Sequence, residues 1–132
     1  MNAASAKYQE NYAKGQNILT KGQAAHKAYM VEKGAVRVYL NNDGKIVELA
    51  RLGPGEIFGE TALFDGGIYG ANIDAAEDCV LSVITPGWLD GAIEDVDPMV
   101  AALIRMLIAR LKSTNEALVK SETREFIDVA FV

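Results

Sequence analysis

The chain has 132 residues, of which 50% are apolar and 23% charged, and its formal net charge is −5. These values are typical of a single globular domain that is large enough to bury a core. Because DNA and acidic membranes need basic surface on a partner, the acidic balance argues against non-specific binding to either. The one cysteine, Cys79, cannot form an internal disulfide, which favours a cytoplasmic location.

The N-terminal segment, residues 1–14, is polar and rich in alanine. From this composition we expect a loose or short helical lead-in. The segment lacks the apolar stretch of a secretory signal peptide. The longest apolar run, residues 99–104, is too short to span a bilayer.

Short apolar segments separated by glycine-rich turns begin near residue 15. Val36, Val38 and Leu40 alternate with other side chains, which indicates a strand with one buried face. The run Asn-Asp-Gly-Lys at 42–45 signals a hairpin, because Asp-Gly tolerates the positive φ of tight turns. Further turns are expected at 32–34 and 53–55, and further strands at 72–76 and 79–84. About eight short strands with regular turns predict a β-roll, jelly roll or barrel, in a domain of residues 15–97 that also includes a short helix.

Helix signals replace the strand pattern at Thr85. Thr85 can cap a helix and Pro86 suits its first turn, which predicts a short amphipathic helix over residues 88–96. Asp97 and Pro98 repeat the same pair of signals, and a long helix is expected over residues 98–122.

The long helix carries two apolar stripes. The first has the 4-3 spacing of a coiled coil, interrupted by polar residues, at Val100, Ile104, Leu107, Leu111, Thr114, Leu118 and Ser121. The second stripe, Met99, Leu103 and Met106, lies beside it. One stripe can pack on the domain and the other on a second copy, which predicts a homodimer. The alternative is one wide stripe that faces only the core.

The segment at 55–73, GEIFGETALFDGGIYGANI, has the composition of a ligand-binding loop. We expect a strand end, a helical turn at 60–64, a glycine-rich loop and a new strand. The unpaired N–H groups at the start of a helical turn attract anions. Glu60 could accept two hydrogen bonds from a sugar diol, and Gly59 lets a ligand approach the backbone. The alternative is a tight corner of the sheet with Glu60 pairing a nearby arginine or capping a turn.

The run Phe58-Gly59-Glu60-Thr61-Ala62-Leu63, followed by Gly-Ala-Asn-Ile at 70–73, resembles the phosphate-binding cassette of the cyclic nucleotide-binding domain family. That family includes the catabolite activator protein and the regulatory subunit of protein kinase A. Residues 18–40, 49–60 and 79–84 are similar to the family's opening strands, the lead into the cassette and the closing strand. The resemblance covers about residues 15–122 and implies an antiparallel β-roll with a long C-terminal helix.

The resemblance implies a cyclic nucleotide, cAMP or cGMP, as ligand, and no metal. Glu60 matches the glutamate that holds the ribose 2′-hydroxyl, and the cassette helix presents backbone to the cyclic phosphate. In full, the implied binding residues are Phe58, Gly59, Glu60, Thr61, Ala62, Leu63, Tyr69, Gly70 and Ala71.

The family's phosphate-binding arginine is replaced by Tyr69 in this sequence, counting from Glu60 without an insertion. No Arg or Lys occurs between Leu52 and Ile104, and Asp65 adds a negative charge to the loop. A neutral hydroxyl at Tyr69 replaces only part of a charge-assisted, bidentate contact. Arg37 or Arg51 could enter the site from another strand. Three outcomes are therefore open: weak binding of a cyclic nucleotide, binding of a less charged ligand, or no ligand at all.

No catalytic or metal-ligating set stands out. His26 is the only histidine, and Cys79 lies in a strand pattern as a small core residue. The tail at 123–132 is apolar, and it is too short and not basic enough for the helix-turn-helix domain of related transcription factors. We expect it to pack back on the roll or to add a strand to a partner.

The sequence thus predicts a non-enzymatic regulatory sensor domain. A ligand would shift the cassette and the hinge near Trp88, and so reorient the long helix. The alternative is a degenerate module for protein interaction or dimerisation that binds no ligand.

Overall fold

The computed structural model describes residues 8–64 and 67–121, without the side chains of Phe64 and residues 111–121. The described residues form eight strands and three helices. In chain order these are β1 (Gln9–Tyr12), β2 (Asn17–Leu19), β3 (Ala28–Lys33), β4 (Val36–Asn42), β5 (Lys45–Leu52), β6 (Ile57–Phe58), α1 (Glu60–Phe64), β7 (Asn72–Ala75), β8 (Cys79–Ile84), α2 (Pro86–Glu94) and α3 (Pro98–Ser121).

The strands form two four-stranded antiparallel sheets. The first sheet has the order β1-β8-β3-β6 and the second has the order β2-β7-β4-β5. Non-sequential neighbours such as β3 and β8 show that the chain winds back and forth between the sheets. The predicted antiparallel β-roll is therefore confirmed.

The core lies between the two sheets, where alternate side chains of each strand point inward. Its fully buried members include Val31, Val36, Val38, Phe58 and Leu81. The rings of Tyr29 and Phe58 stack with centroids 5.3 Å apart, which fixes the short strand β6 against β3. Because β6 leads directly into α1, this stacking also positions the predicted cassette.

The predicted turns occur where glycine or Asp-Gly was expected. Asp43 and Gly44 have φ angles of 55° and 86° in the β4–β5 hairpin. Gly34, between β3 and β4, has a φ of 82°, and a Cβ there would collide with the carbonyl oxygen of Asp78 and approach Cys79 Cα at 2.9 Å. Only glycine fits this turn without moving the neighbouring backbone.

The N-terminal segment differs from the prediction. Residues 9–12 form strand β1, which pairs with β8, so a loose or short helical lead-in is wrong for these residues. The strand is held by its neighbours: Val83 N donates to Tyr8 O at 2.8 Å, and Lys27 Nζ lies 2.7 Å from Glu10 Oε2. Residues 1–7 lie outside the described residues.

The helix starts are capped as predicted. Thr85 Oγ1 accepts a hydrogen bond from Trp88 N at 3.1 Å, and Asp97 Oδ1 accepts one from Met99 N at 2.8 Å. Helix α2 runs over Pro86–Glu94, so it starts and ends two residues earlier than predicted. Helix α3 is present from Pro98 to Ser121, while residue 122 and the tail at 123–132 lie outside the described residues.

The two faces of α3 meet different surroundings over its first half. Ala101 is buried, and Ile104 and Ile108 are half-buried towards the roll. The opposite face is exposed and carries Met99, Val100, Leu103, Met106 and Leu107. The predicted 4-3 stripe is therefore divided, with Ile104 against the domain and its neighbours in solvent. Within the described part of the chain, none of the helices is long and apolar enough to cross a membrane.

Candidate functional site

The predicted cassette begins with Phe58 and Gly59, and the backbone conformation at the second position favours glycine. Phe58 is fully buried, and Gly59 follows it with a φ of 82°. A Cβ on Gly59 would lie 3.4 Å from both Leu19 Cδ1 and Lys27 O. The positive φ and the close approach of two neighbouring segments both favour glycine here, and they set the direction in which α1 starts.

Helix α1 is largely buried, since Thr61, Ala62 and Leu63 are each only 6% exposed. Leu63 N donates to Gly59 O at 3.2 Å, so this N–H is not available to a ligand. The N–H of Glu60 donates to its own carboxyl, and the other N–H groups at the start of a helix have no partner among the helix carbonyls. Gly67 N donates to Ala62 O at 3.0 Å, and residues 65 and 66 lie outside the described residues.

The carboxyl of Glu60 is only partly satisfied: it accepts a hydrogen bond from the backbone N–H of Glu60 itself. Its Oε2 atom is buried, and no described group lies within hydrogen-bonding distance of it. Burial raises the pKa of the Glu60 carboxyl above its ordinary value, because a carboxylate loses hydration there, while the hydrogen bond from its own N–H acts to lower it. A buried acceptor without a donor is costly unless a ligand supplies the donor. Glu60 also lines a cavity that is bounded by Met30, Ser82 and Ile84.

Most of the chain, including the predicted cassette, matches a known family model. The model described as "Cyclic nucleotide-binding domain" matches residues 9–95. This chain belongs to the cyclic nucleotide-binding domain family. The match starts at β1 and ends just after α2, so it includes the whole roll and the cassette.

Proteins with known roles share this domain. The chain is 36% identical over 101 residues to a cyclic AMP receptor protein of Thermus thermophilus, which covers 75% of this chain and 46% of that protein. It is 41% identical over 63 residues to a Drosophila melanogaster cAMP-dependent protein kinase type II regulatory subunit, covering 48% of this chain and 17% of that one. The chain thus spans less than half the length of either relative. A regulatory, ligand-sensing role is what this domain supports.

Solved structures show the same fold. The EAL enzyme Bd1971 in a half-site-occupied form aligns with a TM-score of 0.80 and 37% identity, covering 83% of this chain and 99% of the solved one. Its cAMP-bound form aligns with a TM-score of 0.62 and 36% identity, covering 85% of this chain and 30% of the solved one.

Tyr69 of this cyclic nucleotide-binding domain does not point a free hydroxyl at a ligand. The ring is 7% exposed and belongs to the core between the sheets. Its hydroxyl donates to Lys27 O at 2.6 Å and accepts from Lys27 N at 3.2 Å. The Tyr69 hydroxyl, which was expected to bond the ligand, is therefore already hydrogen-bonded to the backbone of Lys27. The next residue, Gly70, is half-buried, and Ala71 packs in the core.

The two arginines considered as substitutes lie elsewhere. Arg37 and Arg51 are cross-strand partners on β4 and β5, and they line a groove of about 210 Å³ without any cassette residue. Arg37 Nη2 lies 3.6 Å from Asp74 Oδ2, and Arg51 Nε lies 3.1 Å from Glu48 Oε2. Both guanidinium groups are thus committed to acids, and neither meets the cassette in this structure.

Sequence reasoning missed Lys27, which contacts the site through its backbone. Its carbonyl lies against Gly59 and bonds Tyr69, while its ammonium is paired with Glu10. The hydrogen bond that Lys27 Nζ donates to Glu10 raises the pKa of Lys27, so the side chain stays charged. The signal was hidden because Lys27 and Glu10 are 17 residues apart and meet only through the pairing of β1 and β3 with β8.

Other chemistry is not assembled by the fold. His26 is exposed, and Cys79 is a buried free thiol whose pKa is raised by burial. Within residues 8–64 and 67–121, no cluster of His, Cys, Asp or Glu could hold a metal ion.

Proposed function

We propose that this domain is a small regulatory sensor that binds a cyclic nucleotide, cAMP or cGMP, with reduced affinity in its cassette. The observation that carries the proposal is the buried, unpaired Oε2 of Glu60 at the first residue of α1. A ribose hydroxyl is a donor of the kind that this acceptor lacks. Gly59 and the first turn of α1 would face the cyclic phosphate with backbone N–H groups. Solved forms of the related enzyme Bd1971 contain cAMP or cGMP, which supports this ligand class.

Reduced affinity follows from the charges of the cassette. With the hydroxyl of Tyr69 bonded to Lys27, and with Arg37 and Arg51 paired to acids, no cation of these residues meets the phosphate. A charge-assisted hydrogen bond contributes about 1.5–3 kcal/mol, so its loss lowers affinity by roughly 10- to 150-fold. We therefore expect dissociation constants from high micromolar to millimolar.

Signalling through α3 is the second part of the proposal. Helix α1 contacts α3, and α2 contacts α3 as well, so a shift of the cassette reaches the long helix directly. The exposed apolar face of α3 (Met99, Val100, Leu103, Met106 and Leu107) supports a homodimer through this helix. The domain would itself be non-catalytic and bind neither DNA nor membranes, in keeping with its acidic charge. The free thiol of Cys79 supports a cytoplasmic location.

A second candidate function is a module for protein interaction or dimerisation that needs no ligand. It is favoured by Tyr69, whose ring fills the core where the family resemblance places a phosphate-binding arginine. In this case the face of α3 would be the working surface.

Isothermal titration calorimetry distinguishes the two functions. We expect the wild type to bind cAMP or cGMP at concentrations up to millimolar, and Glu60→Gln to weaken this binding at least tenfold. Glu48→Gln, an exposed carboxylate on β5, is the matched control and should bind as the wild type does. No heat of binding with either nucleotide would reject the sensor and leave the interaction module.

A further inference from the structure

A large apolar cavity lies on the outer face of the first sheet, away from the core between the sheets. Its volume is about 560 Å³, which lies within the range of roughly 300–1,000 Å³ for small-molecule sites. On the sheet side it is lined by Met30, Ser82 and Ile84, which alternate along β3 and β8 with core residues such as Val31 and Leu81. The cavity therefore belongs to the contact between the roll and the helices.

The walls that α2 and α3 give to the cavity are mostly apolar. Trp88 and Leu89 of α2, and Ile104 and Ile108 of α3, line these walls. The cavity is partly open to solvent, so a ligand can enter it, and its walls expose far more apolar than polar surface. Apolar walls of this kind favour an apolar occupant over water.

Among the described residues that line the cavity, Trp88 carries an indole N–H and Ser82 and Glu60 carry polar oxygen atoms, and only Glu60 has a buried side-chain atom without a partner. Ser82 Oγ donates to Glu32 Oε2 on the neighbouring strand and is satisfied. Glu60 Oε2 is buried without a donor. The walls thus favour a ligand with an apolar body. The carboxylate favours a hydrogen-bond donor on that ligand, preferably one with a positive charge.

We propose that this cavity binds a cationic amphiphile, an aliphatic or aromatic amine whose apolar body fills the space between β3, β8 and the helices. Its ammonium group donates to Glu60 Oε2. A cyclic nucleotide is an anion, so this ligand class differs from that of the proposed function, and the two would compete for Glu60. A fatty acid is repelled by the carboxylate, and a fatty alcohol supplies a donor without the charge.

The chain provides its own probe, because Trp88 is the only tryptophan and lines the cavity. Trp88 emission is followed during titration with octylamine, octanol and octanoate at pH 7.5, without any nucleotide. We expect saturable binding of octylamine, weaker binding of octanol and none of octanoate. Glu60→Gln should weaken octylamine by roughly 10- to 100-fold and bring it level with octanol.

A matched pair of variants on α3 locates the binding. Ile108→Phe puts a bulkier ring into the cavity and should weaken octylamine binding, whereas Leu107→Phe puts the same ring at a side chain that is 53% exposed and should leave the binding unchanged. The ranking of the three ligands on the wild type remains decisive if Ile108→Phe does not fold. Equal binding of octylamine and octanoate, or no saturation, overturns the proposal. Binding that occurs only after removal of residues 122–132 overturns it too, because the occupant would then be the chain itself.

Discussion

Glu60→Gln should make the ligand-free domain more stable at neutral pH. The glutamine side chain has the same shape, and its amide has no charge to lose hydration on burial. The wild-type carboxylate has a buried Oε2 without a donor, and burial raises its pKa. A residue that destabilises its own fold while standing at the binding site is typical of a functional group rather than a structural one.

The size of the effect follows from the burial of the carboxylate. An unsatisfied buried polar group costs about 1–3 kcal/mol. Because the Glu60 side chain is only partly buried, the lower end applies, about 1 kcal/mol after allowance for solvent screening. For a chain of 132 residues this corresponds to a rise in melting temperature of about 3–5 °C.

The effect depends on pH with a defined sign. Since the pKa of Glu60 is raised in the folded state, the folded chain holds the proton more tightly than the unfolded chain. The stability of the wild type is then fully present below the unfolded pKa and is lost as pH rises through the folded pKa. Thermal melts of wild type and Glu60→Gln should differ by about 1 kcal/mol at pH 7.5 and by close to zero near pH 4.

Glu48 on β5 provides a control whose carboxyl pKa is shifted in the opposite direction. Glu48 is exposed and hydrogen-bonded by Arg51, which lowers the pKa of Glu48. Glu48→Gln should therefore not raise the melting temperature at pH 7.5. If Glu60→Gln lowers the melting temperature at pH 7.5, or if its effect is the same at both pH values, then Glu60 Oε2 has a donor in the folded chain and the reasoning fails.

Three further changes test the fold and the assembly. Gly34→Ala should lower the free energy of unfolding in urea by about 3–5 kcal/mol, because a collision adds to the strain of positive φ. Gly22→Ala, with a φ of 92° and open space around it, should lower it by about 1–2 kcal/mol, and equal losses would contradict the collision. Tyr69→Phe should lose about 1 kcal/mol in a thermal melt, because only the hydroxyl bonds to the backbone disappear; no loss would mean that these bonds do not form. Leu103→Lys with Leu107→Lys should give a monomer in analytical ultracentrifugation where the wild type is a dimer, and a monomeric wild type would refute the assembly.

The local fold could be read from the sequence because its signals are short-range. Asp43-Gly44, Thr85-Pro86 and Asp97-Pro98 act within a few residues, and each turn or cap formed where it was expected. Strand β1 was missed because it is short and polar, and its stability comes from pairing with β8 about 70 residues away. Tertiary pairing of this kind leaves no periodic signal in four residues.

The site was predictable in outline but not in its side-chain contacts. The cassette helix starts at Glu60 as expected, because Gly59 and the following residues specify it locally. The direction of Tyr69 into the core depends on the backbone of Lys27, 42 residues away in sequence. The cavity lined by Trp88 depends on how the three helices pack against β3, β6 and β8, and spacing along the chain does not describe that.

In the proposed function, the cassette binds a cyclic nucleotide without a cation beside the phosphate. Tyr69→Arg would restore the charge but would bury it in the core, so we choose the half-buried neighbour Gly70 for the test. Gly70→Gln is the matched control, since it adds bulk and hydrogen-bonding capacity without charge.

The deciding measurement is a calorimetric titration of wild type, Gly70→Arg and Gly70→Gln with cAMP and with cGMP. The account predicts weak binding by the wild type, binding roughly 10- to 150-fold tighter by Gly70→Arg, and no gain for Gly70→Gln. No heat of binding from any of the three proteins would contradict this prediction. A submicromolar dissociation constant for the wild type would contradict it too, because neither result agrees with a working cassette that lacks one positive charge.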